Sequence, residues 1–200
     1  MANKIITISR QFGSGGHEIG ILVAQSLGIK CYDKELIALA AEHGDIEYKR
    51  LRNLDERNDN PWYHELIYDG NGNVPKGKSA AEVLYRLESS VIRQIALKED
   101  AVIVGRCADS ILSETDTKLL TVFVYAPFES RVLRKMDITH RNQARTVAKI
   151  KKTDKLRKEY YETHVGSAWG DASHYDLFFD SSMQTKEEIV SSIIEAYNKL

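Results

Sequence analysis

The sequence predicts an α/β fold: a parallel sheet with helices on both of its sides. Three observations carry that reading. Two short apolar runs, Ala101 to Val104 (AVIV) and Leu119 to Ala126 (LLTVFVYA), have the unbroken hydrophobicity of strands buried on both faces. Stretches with helical spacing lie between the strand-like runs, as crossovers in a parallel sheet require. A glycine-rich turn joins the first strand to the first helix, where such folds place their ligands.

The elements follow in order. Lys4 to Ser9 (KIITIS) is short and β-rich, so it is a strand. Ile19, Leu22, Val23 and Leu27 share one helical face, and Gly28 is placed to end that helix as its C-cap. Ile29 to Tyr32 is read as a short strand and Lys34 to Ala41 as a helix. From His43 to Lys78 the periodicity breaks. Asn60-Pro61 and the run Asp69 to Asn73 (DGNGN) suggest loops and short helices there. A long helix is expected over Ser79 to Lys98, with Val83, Leu84, Leu87, Val91 and Ile95 inward. After the AVIV strand comes Gly105-Arg106, and after LLTVFVYA comes Pro127, suited to the first position of a helix. Asp176 to Phe179 is the last strand. Lys186 to Leu200 is an amphipathic helix burying Ile189, Val190, Ile193, Ile194 and Tyr197.

Composition narrows the function classes. Lys and Arg number 28 against 29 Asp and Glu, so a protein that simply coats nucleic acid is not indicated. Cys31 and Cys107 show no metal-ligand spacing and no signal peptide precedes them; free thiols in a cytoplasmic protein are expected. No apolar run approaches the roughly 20 residues of a membrane span. One domain, residues 1–200, accounts for the length.

The segment ITISRQFGSGGHEIG (Ile6 to Gly20) runs from strand to helix through Gly13, Gly15 and Gly16. A glycine turn in this setting aims successive backbone N–H groups at one point, and the helix adds the positive end of its dipole. That suits a phosphate. The P-loop template G-x-x-x-x-G-K-[ST], aligned on Gly15, puts Arg10 at its first glycine, Gly16 at its lysine and His17 at its hydroxyl. Two other readings stay open. One is a dinucleotide turn with Asp33 as the ribose-binding acid, although Glu18 stands where its third glycine belongs. The other is a βα turn that merely needs glycine.

Arg131 to Lys158 holds eleven Lys or Arg and only two acids, Asp137 and Asp154. Arg134, Arg141, Arg145, Lys149, Lys152 and Lys155 fall on one helical face. That face is a solvated charged helix, a nucleic-acid surface, or a lid whose arginines close over phosphates.

Taken together, ISRQFGSGG (Ile8–Gly16), YDKELI (Tyr32–Ile37), VIVGRCAD (Val102–Asp109), VFVYAPFESRVLR (Val122–Arg134), DKLRKEYY (Asp154–Tyr161) and YDLFFDSS (Tyr175–Ser182) resemble the cytidylate kinase-like proteins. These are relatives of the bacterial cytidylate kinases among the nucleoside monophosphate kinases. The resemblance implies a three-layer αβα P-loop kinase fold with a five-stranded parallel sheet. It also implies a monophosphate-binding insertion (43–78) and a basic helical lid (131–160). Phosphoryl transfer from ATP to a nucleotide, with Mg²⁺, is the implied activity. Gly13, Ser14, Gly15, Gly16, His17 and Glu18 would hold the donor phosphates. Asp33 and Arg106 match positions near the acceptor nucleotide in cytidylate kinases, Arg131 opens the lid, and Arg157 matches a lid arginine with Asp154 as its partner. Cytidylate kinases keep the loop lysine and a following threonine. They also read G-R-D where this chain has Gly105-Arg106-Cys107, which displaces the acid to Asp109.

Phosphoryl transfer depends on alignment and positive charge. A lysine about 4 Å from a phosphate oxygen contributes roughly 4 kcal/mol at an effective dielectric of 20, near a thousandfold in rate. Arg10, Arg106, Arg131, Arg134 and Arg157 are the candidates to replace it, because guanidinium forks match phosphate oxygens. Glu18 must point away or meet a cation. Asp33 is a general base or a helix N-cap. Metal ligands are not defined by the sequence; Glu18, Asp33 and Asp109 are the candidates. The expected partner is a nucleotide or another small acceptor. Neither a membrane nor a nucleic-acid partner is expected, and an oligomer is left open. The alternative to a kinase is a nucleotide-binding module without catalysis.

Overall fold

The computed structural model describes residues 2–45 and 80–200. The expected insertion therefore lies outside the described residues from 46 to 78, and with it Trp62, Tyr63 and Tyr68. The strands are β1 (Lys4–Arg10), β2 (Lys30–Tyr32), β3 (Ala101–Val104), β4 (Lys118–Tyr125) and β5 (Leu177–Asp180). They form one sheet in the order β2-β3-β1-β4-β5, with every pairing parallel. The helices are α1 (Gly16–Leu27), α2 (Glu35–Gly44), α3 (Ala80–Lys98), α4 (Ala108–Ser113), α5 (Phe128–Thr139), α6 (Gln143–Val165) and α7 (Lys186–Lys199).

The sheet is buried on both faces, as the unbroken apolar runs require. β1 sends Ile5 to one layer, with α2, α3 and α4, and Ile6 and Ile8 to the other, with α1 and α7. Each fully buried side chain of this size contributes about 1.5–3 kcal/mol. α3 buries all five residues its periodicity selects, Val83, Leu84, Leu87, Val91 and Ile95. Gly28 ends α1 at φ 66, and its N–H reaches the carbonyls of Ala24 and Gln25. α7 begins at a capping box formed by Thr185 and Glu188.

Three local expectations are corrected. Pro127 is the N-cap of α5 rather than its first residue. Lys34, not Asp33, caps α2, because the Asp33 carboxylate is used elsewhere. The basic segment is two helices. α5 ends at His140, in the left-handed region at φ 52, and Asn142 caps α6 by accepting from the Arg145 N–H at 3.0 Å. Arg134 on α5 therefore does not share a helical face with Arg145, Lys149, Lys152 and Lys155 on α6.

Candidate functional site

The strands' C-terminal ends bring together the β1–α1 loop, the turn after β2, and Gly105-Arg106-Cys107 after β3. The β1–α1 loop is pinned from below. The Gln11 N–H donates to the Val124 carbonyl at 3.0 Å, and the Ser14 hydroxyl lies 2.9 Å from the carbonyl oxygens of both Gln11 and Val124. Ser14 is buried, and its carbonyl accepts from the Ser181 hydroxyl at 2.6 Å. Its side chain thus fixes the loop.

Gly13 and Gly15 turn the chain with φ of 91 and 90, where a side chain would be strained. The first bond of α1 runs from the Ile19 N–H to the Gly15 carbonyl. No side chain caps the helix. Among the described residues no hydrogen bond uses the amides of Gly13, Gly15, Gly16, His17 or Glu18. These include the orphan donors of a helix start, at the positive end of its dipole. The Phe12 amide is different: it donates to Asp154 Oδ1 at 2.7 Å.

Arginines surround this turn. Arg10 crosses it at the base. Its stem lies where a residue-16 side chain would stand, since a Cβ on Gly16 would be 2.6 Å from Arg10 Cβ. Its guanidinium runs under Gly105, where a Cβ would be 1.9 Å from Nη1, and reaches Asp33 Oδ1 at 3.2 Å. Arg134 brings its guanidinium to within 2.9 Å of a Cβ on Gly15 and donates to Glu18 Oε2 at 2.8 Å. Lys186 meets the same oxygen at 3.1 Å. Glu18 is thus neutralised by two cations, which also hold its pKa below the ordinary carboxylate value against the opposing effect of burial.

Arg157 on α6 donates to the Arg10 carbonyl at 2.9 Å, with its guanidinium over the Phe12 ring. Burial, with Arg10 alongside, pushes Arg157 down to about 9, so it stays charged at neutral pH. Asp154 is not its ion-pair partner. That carboxylate pairs with Arg131 at 2.5 Å, and Arg131 also donates to the carbonyls of Phe12 (3.1 Å) and Ala126 (3.0 Å). Arg131 is buried and ties α5 and α6 to the loop.

Arg106 faces the fully buried Glu88 of α3 at 3.2 Å, and the Tyr160 hydroxyl donates to Glu88 at 2.9 Å. Gly105, Arg106 and Cys107 have φ of 77, 61 and 54. Two adjacent non-glycine residues in the left-handed region cost about 1–2 kcal/mol each, and such strain gathers at functional turns. Asp33 Oδ2 lies 2.8 Å from His17 Nδ1. Asp109 is buried on α4 and accepts from the Tyr161 hydroxyl at 2.8 Å, and burial pushes its carboxyl pKa up. Among the described residues no group of three or more His, Cys, Asp or Glu is placed to hold a metal ion.

Sequence reasoning missed Glu88, Lys186, and the use of Asp154 by Arg131 and Phe12. Glu88 carried a signal: it is an acid beside Leu87, on the face of α3 that the apolar spacing marks as inward. The other contacts join residues more than 20 apart and leave no local trace.

A model of the cytidylate kinase-like family matches residues 5–183. The chain belongs to the cytidylate kinase-like family. Among solved structures, an uncharacterized protein from Eubacterium ventriosum is 26% identical with a TM-score of 0.72, covering 99% of this chain and 100% of that one. A gluconokinase from Sinorhizobium meliloti is 14% identical at TM-score 0.57, covering 99% and 93%. A shikimate kinase from Bacteroides thetaiotaomicron is 15% identical at 0.52, covering 98% and 99%. The two kinases establish the fold, a P-loop kinase α/β sandwich. No curated protein matches this cytidylate kinase-like chain.

Proposed function

We propose that this cytidylate kinase-like protein transfers the γ-phosphoryl group of ATP to a nucleoside monophosphate, CMP first, or to a related small acceptor. The observation that carries the reading is the set of five amides, in the β1–α1 loop and at the start of α1, that have no acceptor among the described residues, with Arg10, Arg134 and Arg157 around them. Oriented N–H groups and fixed guanidiniums stabilise the charge that phosphoryl transfer spreads over the phosphate oxygens. In this reading Gly13 to Glu18 hold the donor phosphates through the backbone. Arg134 turns from Glu18 onto them; its half-exposed ion pair is worth only about 1 kcal/mol, so the exchange is cheap. Arg157 adds a charge whose burial is unfavourable until an anion arrives.

Asp33 and Arg106, at the ends of adjacent strands β2 and β3, face the acceptor. α5 and α6 act as the lid over residues 131–160, with Arg131 as its structural hinge pin. The family implies Mg²⁺, but the described donors do not fit direct ligation: His17 replaces the template hydroxyl and Glu18 is held by two cations.

A coupled ADP-release assay across nucleoside monophosphates tests the reading. Turnover with one of them, or with another small acceptor, supports it; no turnover with folded, ATP-binding protein refutes it. That second result would favour a nucleotide-binding module without catalysis. The pairing of Arg10, Arg106, Arg131 and Arg134 with internal carboxylates speaks for that alternative.

A further inference from the structure

His17 occupies the second position of α1, beside the free amides. Its Nδ1 lies 2.8 Å from Asp33 Oδ2, while Arg10 Nη2 holds the other oxygen of the same carboxylate at 3.2 Å. The Asp33 side chain is only 12% exposed, so the carboxylate is clamped between guanidinium and imidazole. A Nδ1–H bond to a carboxylate fixes the tautomer that leaves the lone pair on Nε2. The imidazole is 49% exposed, and no hydrogen bond among the described residues uses Nε2. The other charges nearby are Arg10 behind Asp33, from β1, Glu35 of α2, whose carboxylate accepts from the Asp33 N–H at 3.2 Å, Arg157 from α6, and Glu18 on α1 with its partners Arg134 from α5 and Lys186 from α7.

As a base, an oriented imidazole separates two classes of acceptor. A phosphate monoester loses its second proton near pH 6, so its oxygen attacks without a base. An alcohol keeps its proton at neutral pH and gains from a base in the transition state. We infer that His17 is the general base of the site, Asp33 its positioning residue, and the acceptor group a hydroxyl on a small anionic molecule. The inference rests on the kinase reading and selects its second branch, a small acceptor other than the phosphate of a nucleoside monophosphate. Arg106, after β3, and Arg157, which reaches the end of β1 from α6, supply the preference for negative charge.

In the step, the acceptor oxygen bonds to the γ-phosphorus of ATP while Nε2 takes its proton. The bond from that phosphorus to the β–γ bridging oxygen breaks, and ADP leaves with the electron pair. Asp33 holds the imidazolium, which then returns its proton to water.

The test uses the full chain with ATP and three acceptors: water, which is always present, CMP, and a panel of small hydroxy acids. ADP release and ³¹P spectra identify the product. H17Q keeps a polar side chain without the base, and H17N is the second variant if H17Q melts early. Expected are a phosphate ester as product and a fall of roughly 10²- to 10⁴-fold in kcat on hydroxyl acceptors and water. The loss should fall on kcat and not on KM for the acceptor, and D33N should lower kcat in the same way by a smaller factor. A nucleoside diphosphate as the only product, with H17Q as fast as wild type, overturns this inference and leaves the kinase reading standing. So does an equal loss in H17Q with CMP, which makes His17 a phosphate ligand. No turnover with any acceptor, water included, removes both.

Discussion

Replacing Gly16 by alanine puts one methyl group into the base of the β1–α1 loop. Its carbon would lie 2.6 Å from Arg10 Cβ, 3.1 Å from Arg10 Cγ and 3.3 Å from Val124 Cβ. Carbon pairs prefer about 3.5–4.0 Å, so the first overlap is close to an ångström. Both carbons are fixed to backbone, one on β1 and one on α1, and relief requires the helix to shift from the sheet. Overpacking of this kind costs about 1–3 kcal/mol. Gly16 does not have a positive φ, so no backbone strain adds to it. Alanine regains up to about 1 kcal/mol of helix propensity. The net loss should be about 1–2 kcal/mol, or roughly 2–8 °C in Tm for a chain of this size. Thermal and urea unfolding of G16A, R10G, R10A and the two double variants completes the test. R10G removes the offending Cβ and R10A keeps it. The cycle with R10G should therefore show a coupling of about 0.5–3 kcal/mol, and the cycle with R10A a smaller one, because it lifts only the 3.1 Å contact with Cγ. If G16A melts at or above wild type, or R10A relieves it as fully as R10G, the contact is not what excludes a side chain at position 16.

Three further outcomes follow from the same contacts. D154A leaves the buried Arg131 guanidinium and the Phe12 N–H without their carboxylate, so urea unfolding should show a loss of about 3–5 kcal/mol; a loss under 1 kcal/mol would count against a structural tie. E18Q frees Arg134 and Lys186 from a half-exposed carboxylate, which should change stability by no more than about 1 kcal/mol while tightening ATP binding in calorimetry; weaker binding would mean that Glu18 serves the ligand. Burial raises the Asp109 pKa above its unfolded value, so its contribution to stability is full below about pH 3.9 and is lost as pH rises through the folded value. D109N should remove that decline, and parallel stability–pH curves for D109N and wild type would refute the assignment.

The fold was legible because its signals are local. β3 occupies the four residues of its apolar run, and α3 buries the five positions its periodicity selects. Where the reading slipped, the deciding contact was distant. Asp33 was open between a general base and a helix cap; the cap, the local alternative, is the one the structure removes, because the Asp33 carboxylate is drawn to Arg10 and His17 from other elements. The family resemblance made Asp154 the partner of Arg157, yet Arg131, 23 residues away, takes the carboxylate. The break at His140 is a left-handed residue that helical charge spacing does not reveal.

The altered loop is the harder case, and the contact between positions 10 and 16 explains why a template undervalues it. Scored residue by residue, Arg10 for glycine and Gly16 for lysine are two independent failures. In space they are a single exchange, because the stem of Arg10 fills the volume that a side chain at 16 would need. A long cation has moved from the first turn of the helix to the end of the preceding strand, and the glycine has moved the other way. The guanidinium then lies under Gly105 and beside Asp33, so its charge is displaced toward the ends of β2 and β3. A cation in that place serves the acceptor side of a phosphoryl transfer more directly than the donor side. The donor phosphates are left to the free amides and to Arg134. The exchange therefore predicts a division of labour: R10A should raise KM for the acceptor more than KM for ATP, and R134A the reverse. Steady-state kinetics with both substrates varied would show it, and equal effects of the two variants on both constants would refute the exchange as the explanation of the missing lysine.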